Sequence, residues 1–255
     1  MKTRRQLDIV IPARMSSTRL PNKIMMPLGN MPLILRTYQS ACQIKNELKE
    51  QQIEANIIIA VESDKTKEAI LKYDSDVNIV ICPDANSGTE RAMQACTSNF
   101  LLVWQADWPL INRSDLVDMI VNSHGDIANI WTMAIRVRNT TPIANNRNLV
   151  KVVVSDSGRA IYFSRSPVPY NSSELLIHSG IYLMYSVEDI RALDVVKLDR
   201  FVKSEDLEQL KYLSCGIAIN CRVYDRGIYH GVDTRPEYEY YSQIIDKIEG
   251  IIEHD

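Results

Sequence analysis

Three cations fall within ten residues near one end of the chain: Arg14, Arg19 and Lys23, interleaved with Ser16, Ser17 and Thr18. They follow an apolar run, Leu7 to Ile11, that breaks at Pro12. Guanidinium and ammonium groups make charge-assisted hydrogen bonds to phosphate oxygens. Backbone N–H groups at the start of a following helix add to such an anion site. A buried strand that delivers this loop is therefore a means of holding a polyphosphate. By composition alone the segment also reads as a solvated basic loop, and the rest of the chain decides between the two. Two carboxylates supply the complement. Asp107 follows the apolar run 100–105 and precedes Trp108-Pro109, and Asp233 lies in His230-Gly231-Val232-Asp233-Thr234. Two oxygen ligands plus substrate phosphates are the usual holders of Mg²⁺. Either aspartate alone reads as a turn or helix cap; with the basic loop they make the parts of phosphate–metal chemistry. The chain has neither a GxxxxGK[ST] segment nor a GxGxxG segment, which excludes a P-loop NTPase and argues against a dinucleotide-binding dehydrogenase.

Short apolar runs alternate with longer amphipathic ones, the pattern of βα units and a mostly parallel sheet. Strands are expected at 8–11, 56–61, 77–81 and 100–105, with helices at 32–52, 65–73, 89–97 and 114–123. Ser63 is a candidate N-cap for the second helix, and Ser87-Gly88-Thr89 opens the third. In such sheets ligands bind outside the carboxyl ends of the strands, which is where the basic loop and Asp107 fall. Beyond residue 126 the chain turns β-rich. Extended segments are expected at 126–138, 149–155 and 177–185, with 160–164 pairing back as a hairpin after the turn 156–159. Helices at 187–193, 204–213 and 236–249 and a strand at 218–223 complete the reading. No repeat or linker divides the chain, so residues 1–255 are expected to form one domain, with 126–185 as a β-rich lobe and candidate dimer interface.

Composition sets the class. Hydrophobic residues make up 45% and charged residues 24%, the balance of a soluble globular protein. A net charge of −3 excludes a nucleic-acid-coating surface and confines any anion site to a local cluster. No apolar run approaches the roughly 18 residues of a membrane span, and the basic residues of 1–6 run into a strand without the apolar core of a signal peptide. Five scattered cysteines, an odd number without a CxxC pair, read as reduced thiols of a cytoplasmic protein.

Eight short motifs, in order and nearly end to end, resemble the 3-deoxy-manno-octulosonate (Kdo) cytidylyltransferase family. They are Ile11-Pro12-Ala13-Arg14 with Ser17 to Pro21 and Lys23; Ser87 to Arg91; Gln105, Asp107 and Pro109; Val150 to Val154; Tyr162-Phe163-Ser164-Arg165 with Pro169; His178 with Gly180-Ile181-Tyr182; Leu207 to Leu210; and Gly231 to Thr234. The resemblance implies a glycosyltransferase-A-like α/β nucleotidyltransferase: a mostly parallel mixed central sheet flanked by helices, with a smaller β-rich lobe. It implies transfer of CMP from CTP to Kdo or an analogue such as 8-amino-Kdo, with release of pyrophosphate, for lipopolysaccharide or capsule synthesis. A homodimer and Mg²⁺ dependence are implied as well. Arg14, Ser17 and Lys23 would hold the triphosphate, Ser87, Arg91 and Gln105 would shape the nucleotide pocket, and Asp107 and Asp233 would hold Mg²⁺. Arg14, Lys23 and the two aspartates would carry catalysis. Arg19, Arg165, His178, Tyr182, Glu208 and Gln209 would line the sugar-acid pocket. Arg165 has an added rationale, since a guanidinium clamps a carboxylate bidentately.

The chain departs from the family pattern mostly on the sugar side. Residues 105–109 read Gln-Ala-Asp-Trp-Pro where Gln-Gly-Asp-Glu-Pro is usual. Ala106 adds a Cβ where the backbone is expected to need freedom, and Trp108 replaces a carboxylate beside the metal site. The segment 170–177 is short, Ser179 replaces an apolar residue, Lys211 stands for Arg, and Arg235 is extra. Cytidylyl transfer to another acidic sugar, such as a nonulosonic acid, is the nearest alternative, and a non-catalytic nucleotide- or sugar-binding relative is the alternative from another class.

Overall fold

Leu7, Ile9 and Ile11 pack into one core cluster and Val10 into another, all four fully buried, so the first strand is covered on both faces. Parallel sheets with helices on both sides produce such uninterrupted apolar strands. The computed structural model describes residues 5–17, 19–123, 130–193, 200–228 and 230–252. In chain order the first half comprises β1 (Arg5–Pro12), a single 3₁₀ turn (Lys23–Met25), β2 (Pro27–Leu28), β3 (Met31–Pro32), α1 (Leu33–Glu50), β4 (Ile53–Val61) and α2 (Asp64–Leu71). It continues with β5 (Ile79–Ile81), α3 (Gly88–Ala95), β6 (Phe100–Val103) and α4 (Arg113–Asn122). Then come β7 (Ile130–Arg138), α5 (Thr141–Asn145), β8 (Lys151–Val154), β9 (Ala160–Ser164) and β10 (Glu174–Tyr185). The chain ends with α6 (Val187–Leu193), α7 (Arg200–Glu205), α8 (Gln209–Ser214), β11 (Ile219–Tyr224) and α9 (Arg235–Ile252).

The central sheet runs β11-β7-β10-β6-β1-β4-β5. Every pairing along that path is parallel except the two made by β10, which is antiparallel to both β6 and β7. The mixed, mostly parallel α/β architecture expected from the sequence is therefore the one found. The β-rich stretch after residue 126 contributes differently from the expectation. β7 and β10 are built into the central sheet, and only the β8–β9 hairpin lies off its path, joined through the pair Ile177–Lys151. Residues 126–129, where the expected strand begins, lie outside the described residues.

Ser63 and Ser87 cap α2 and α3 as expected, accepting from the backbone N–H of Thr66 and Glu90. The single helix expected over 204–213 is instead two, α7 and α8. Asp206 breaks it with φ +53°, and Arg165 takes the carbonyls that would continue it, donating to the backbone oxygens of Glu205 (2.8 Å) and Asp206 (2.9 Å). No helix among the described residues is long and apolar enough to cross a membrane.

Parallel β1, β4 and β6 end on the same edge, so three loops gather there: 13–22 after β1, the start of α2 after β4, and 104–109 after β6. A separate apolar cluster locks a fourth segment against them. Leu20, Leu28 and Leu33 pack with Val232, Tyr241 and Ile245, which brings the loop before α9 onto the loop after β1. Each such buried side chain is worth ~1.5–3 kcal/mol, enough for this cluster to hold residues some 210 positions apart.

Candidate active site

The turn after β6 is fixed from several sides. Trp104 N–H extends the β1 pairing by donating to Val10 O at 3.0 Å, and its indole N–H donates to Trp108 O at 2.9 Å. Two hydroxyls of α1 seize the same turn: Thr37 donates to Ala106 O at 2.7 Å and Ser40 to Pro109 O at 2.6 Å. Ala106 needs no left-handed backbone, since it is not among the residues with positive φ, so its Cβ carries no backbone strain. On the other side Val232 N–H donates to Asp107 O at 2.8 Å, and Glu237 caps α9 by accepting from Asp233 and Thr234 N–H, both at 2.8 Å.

Asp107 and Asp233 consequently meet at one point, and Lys23 occupies it. Its ammonium lies 2.6 Å from Asp107 Oδ2 and 2.7 Å from Asp233 Oδ1. Burial alone would lower the Lys23 pKa, but attraction and hydrogen bonds from the two carboxylates outweigh it, and the net shift is upward. Lys23 reaches this point because Asn22 adopts a left-handed conformation (φ 55°) and Lys23 N–H donates to Leu20 O, which starts the 3₁₀ turn. Glu62, at the end of β4, holds the basic loop by accepting Met15 N–H at 2.9 Å.

These groups line the larger of two neighbouring cavities. Around it stand Arg14, Ser17, Arg19, Lys23, Arg91, Gln105, Asp107 and Asp233, so eight of the residues singled out from the sequence are brought together. Ser87 caps the helix whose first residue, Gly88, lines the same cavity. Among the described residues no group of three or more His, Cys, Asp or Glu converges. A divalent cation at this point would meet two carboxylates, and its remaining positions would fall to phosphate and water. That donor set suits Mg²⁺, which keeps several of its waters.

The second cavity shares Asp233 with the first and is lined by Trp108, Asn148, His178, Ser179, Gly180, His230, Gly231 and Glu237 among others. A bulge in β10 between His178 and Tyr182 builds its floor, with Gly180 at φ +71°. Bulges of this kind re-aim side chains beside functional sites. Thr132 donates its one hydroxyl hydrogen to Ile181 O at 2.6 Å, so its contact with His178 Nε2 at 2.8 Å must be accepted from the ring. His178 is thereby held as the Nε2–H tautomer, and burial pushes its pKa down to about 3, so the ring is neutral. Arg19 stands at the seam. It pairs with Asp233 at 3.0 Å and donates to Asn148, a residue of the second cavity.

The remaining expected sugar-site residues line neither cavity. Arg165 is spent on backbone carbonyls of Arg147, Glu205 and Asp206. Tyr182 and Gln209 are buried, Tyr182 with its ring 5.3 Å from that of His178. Glu208 accepts from the Thr89 hydroxyl, and burial raises its pKa. The sequence reading passed over Asn148, His230 and Glu237 as site residues.

The family model described as Cytidylyltransferase matches residues 9–219. The 3-deoxy-manno-octulosonate cytidylyltransferase of Chloroherpeton thalassium is 32% identical over 228 residues, covering 84% of this chain and 87% of its own. That of Francisella tularensis is 31% identical over 252 residues, covering 91% and 96%. Among solved structures, CMP:2-keto-3-deoxy-manno-octonic acid synthetase complexed with CTP superposes with a TM-score of 0.82 at 26% identity, over 95% of this chain and 99% of that one.

Proposed function

We propose, from the premise that the chain belongs to the 3-deoxy-manno-octulosonate cytidylyltransferase family, that it transfers CMP from CTP to Kdo or an analogue such as 8-amino-Kdo. The observation that carries this reading is the pair of cavities joined at Asp233, one rich in cations and carboxylates, the other lined mostly by uncharged hydrogen-bonding groups beside Glu237 and the shared Asp233. In this reading Arg14 and Ser17 hold the triphosphate, while Arg91 and Gln105, with Ser87 behind them, shape the nucleotide pocket. The acceptor occupies the second cavity, where its anomeric hydroxyl oxygen attacks the α-phosphorus in line and releases its proton to solvent water. The bond from that phosphorus to the bridging oxygen breaks, and pyrophosphate leaves with the electron pair while Lys23 meets its charge. Asp107 and Asp233 would hold Mg²⁺, which when bound spreads the phosphate charge and makes the attacking hydroxyl more acidic. Catalysis then rests on positioning and on cations arranged in advance. Arg19 orients both substrates from the seam, and His178 contacts the sugar. Arg165, Tyr182, Glu208 and Gln209 support the sugar side from behind.

The reading extends to a cytoplasmic homodimer that supplies a precursor for lipopolysaccharide or capsule, with the β8–β9 hairpin and its exposed Ile161 at the interface. Sedimentation at twice the chain mass of 29.1 kDa supports the dimer, and sedimentation at that mass removes it.

The test is pyrophosphate release with CTP and Mg²⁺ against Kdo, 8-amino-Kdo and N-acetylneuraminate, with ATP, GTP and UTP as controls. CTP-dependent release with Kdo or its amino analogue is the expected result. Release with N-acetylneuraminate alone moves the acceptor to the nonulosonic acids. Silence with all three, without CTP binding, leaves a non-catalytic relative.

A further inference from the structure

Lys23 does more in this structure than a phosphate-binding lysine needs to do. Its side chain is 14% exposed and its ammonium bridges the two carboxylates proposed for the cation, at 2.6 and 2.7 Å. The carboxylates are themselves only 22% and 24% exposed. Two anions aimed at one partly buried point repel unless a cation stands between them. Arg19 adds a contact to Asp233 alone, 3.0 Å away, so Lys23 is the group that joins the pair. A Mg²⁺ ion on the same oxygens would sit about 2.0–2.1 Å from each, in the space the ammonium fills. The two cannot be accommodated together.

We propose that Lys23 is the resting counter-ion of the divalent-cation site: its ammonium and the metal are mutually exclusive occupants, and Lys23 exchanges the two carboxylates for substrate phosphate when the metal binds. This rests on the nucleotidyl-transfer reading above and deepens it, because it orders events at the same site. Without nucleotide, the ammonium keeps Asp107 and Asp233 apart, neutralised and already in place. The triphosphate offers Nζ a new partner in the cavity that Arg14, Ser16 and Ser17 also line. Nucleotide therefore promotes cation binding by drawing away its competitor, and by linkage the cation promotes nucleotide binding by the same factor. The acidic pair stays closed to stray cations until the substrate that needs them arrives.

The test uses Mn²⁺ alone as the probe, followed by electron paramagnetic resonance or titration calorimetry, with no nucleotide and no sugar present. Lys23→Met removes the competing charge and is expected to bind Mn²⁺ at least tenfold more tightly than the wild type. Lys23→Gln is expected to do likewise, and Lys23→Arg, which keeps a cation, to bind as weakly as the wild type. Added CTP should tighten Mn²⁺ binding more in the wild type than in Lys23→Met. Equal or weaker Mn²⁺ binding by both neutral variants, each with a wild-type melting temperature, overturns the proposal. Because no sugar enters the measurement, tight Mn²⁺ binding by a protein that transfers CMP to none of the acceptors would retire the sugar and leave the exchange standing.

Discussion

The two cavities differ in what fixes them. The first cavity is built of charges held by charges: Lys23 between Asp107 and Asp233, and Arg19 on Asp233. The second cavity, which also holds Glu237, takes its shape from neutral groups held by packing and backbone geometry: Trp108 against Gly231, His178 on Thr132, and a bulge at Gly180. A site of the first kind binds an anion of any shape and owes its selectivity to count and placement of charge. One of the second kind discriminates by fit, because a mismatched hydroxyl leaves a buried partner unsatisfied. Under the proposed function acceptor identity is set in the second cavity, and the departures from the family pattern at Trp108 and Ser179 fall there.

The change that most sharpens this contrast is Asp107→Asn. It removes a charge from the cation-rich cavity and leaves the turn's backbone contacts to Thr37, Ser40 and Val232 untouched. Turnover is expected to fall about 10²–10³-fold, with a higher half-saturating Mg²⁺ concentration and little change in acceptor KM. A normal rate would show that the carboxylate pair is not the seat of the chemistry. Next in size is Gly231→Ala, which attacks the seam. A Cβ there would lie 2.9 Å from Trp108 Nε1 and 3.0 Å from Asp107 O, so both walls must move. Overpacking of this kind costs about 1–3 kcal/mol, and KM for CTP and for acceptor should rise together. Gly180→Ala is the control. Its Cβ has room, 3.8 Å from Trp108 Nε1, and the strain comes from φ +71° alone. Only the acceptor KM should respond, and a matching rise for CTP would mean that the two cavities are not separable.

What the sequence disclosed follows the same division. Arg14 and Asp107 stand out because each is a charge just after an apolar strand, where the edge of a parallel sheet collects such groups, while Lys23 and Asp233 stand out as charges in loops with small residues. Their convergence on one point was not legible, since it depends on the contact of Leu20, Leu28 and Leu33 with Val232, Tyr241 and Ile245 across the length of the chain. Arg165 looked like a carboxylate clamp because a guanidinium after a strand carries no mark of its partner; in the fold it ends α7 instead. The break at Asp206 was hidden for the same reason, being imposed by tertiary contact against local propensity. Gly180 inside an apolar strand was the one local sign of the bulge. The β-rich half joined the central sheet because β10, long enough to pair with β6, β7 and β8, ties it there.

A third prediction tests the neutrality of His178 in the second cavity. His178 has its pKa lowered to about 3 by burial, against 6.5 when exposed. The unfolded chain therefore takes up a proton that the folded one refuses, and stability falls as pH drops below about 6.5. The slope is about 1.4 kcal/mol per pH unit, or about 2 kcal/mol by pH 5, and it persists until the folded pKa is reached. Urea unfolding at pH 7.5 and 5.0 should show that difference between the wild type and His178→Asn. Parallel losses in the two proteins would mean that His178 is charged in the fold, and the contrast with the charged cavity would lapse.

The smallest effect separates shape from hydrogen bonding within the acceptor cavity. Trp108 presents Nε1 between Gly180 and Gly231, both cavity residues, while its ring packs in the main core. Trp108→Phe keeps an aromatic wall and deletes the N–H donor. A neutral hydrogen bond is worth about 0.5–1.5 kcal/mol, so acceptor KM should rise about three- to tenfold, with KM for CTP within about twofold and kcat nearly constant. A rise shared by both substrates would place Trp108 in the common scaffold with Trp104. An unchanged acceptor KM would leave fit to the ring, and to the neutral His178 beside it, as the source of discrimination. The split between the two KM values is the informative quantity, because a packing defect alone moves them together.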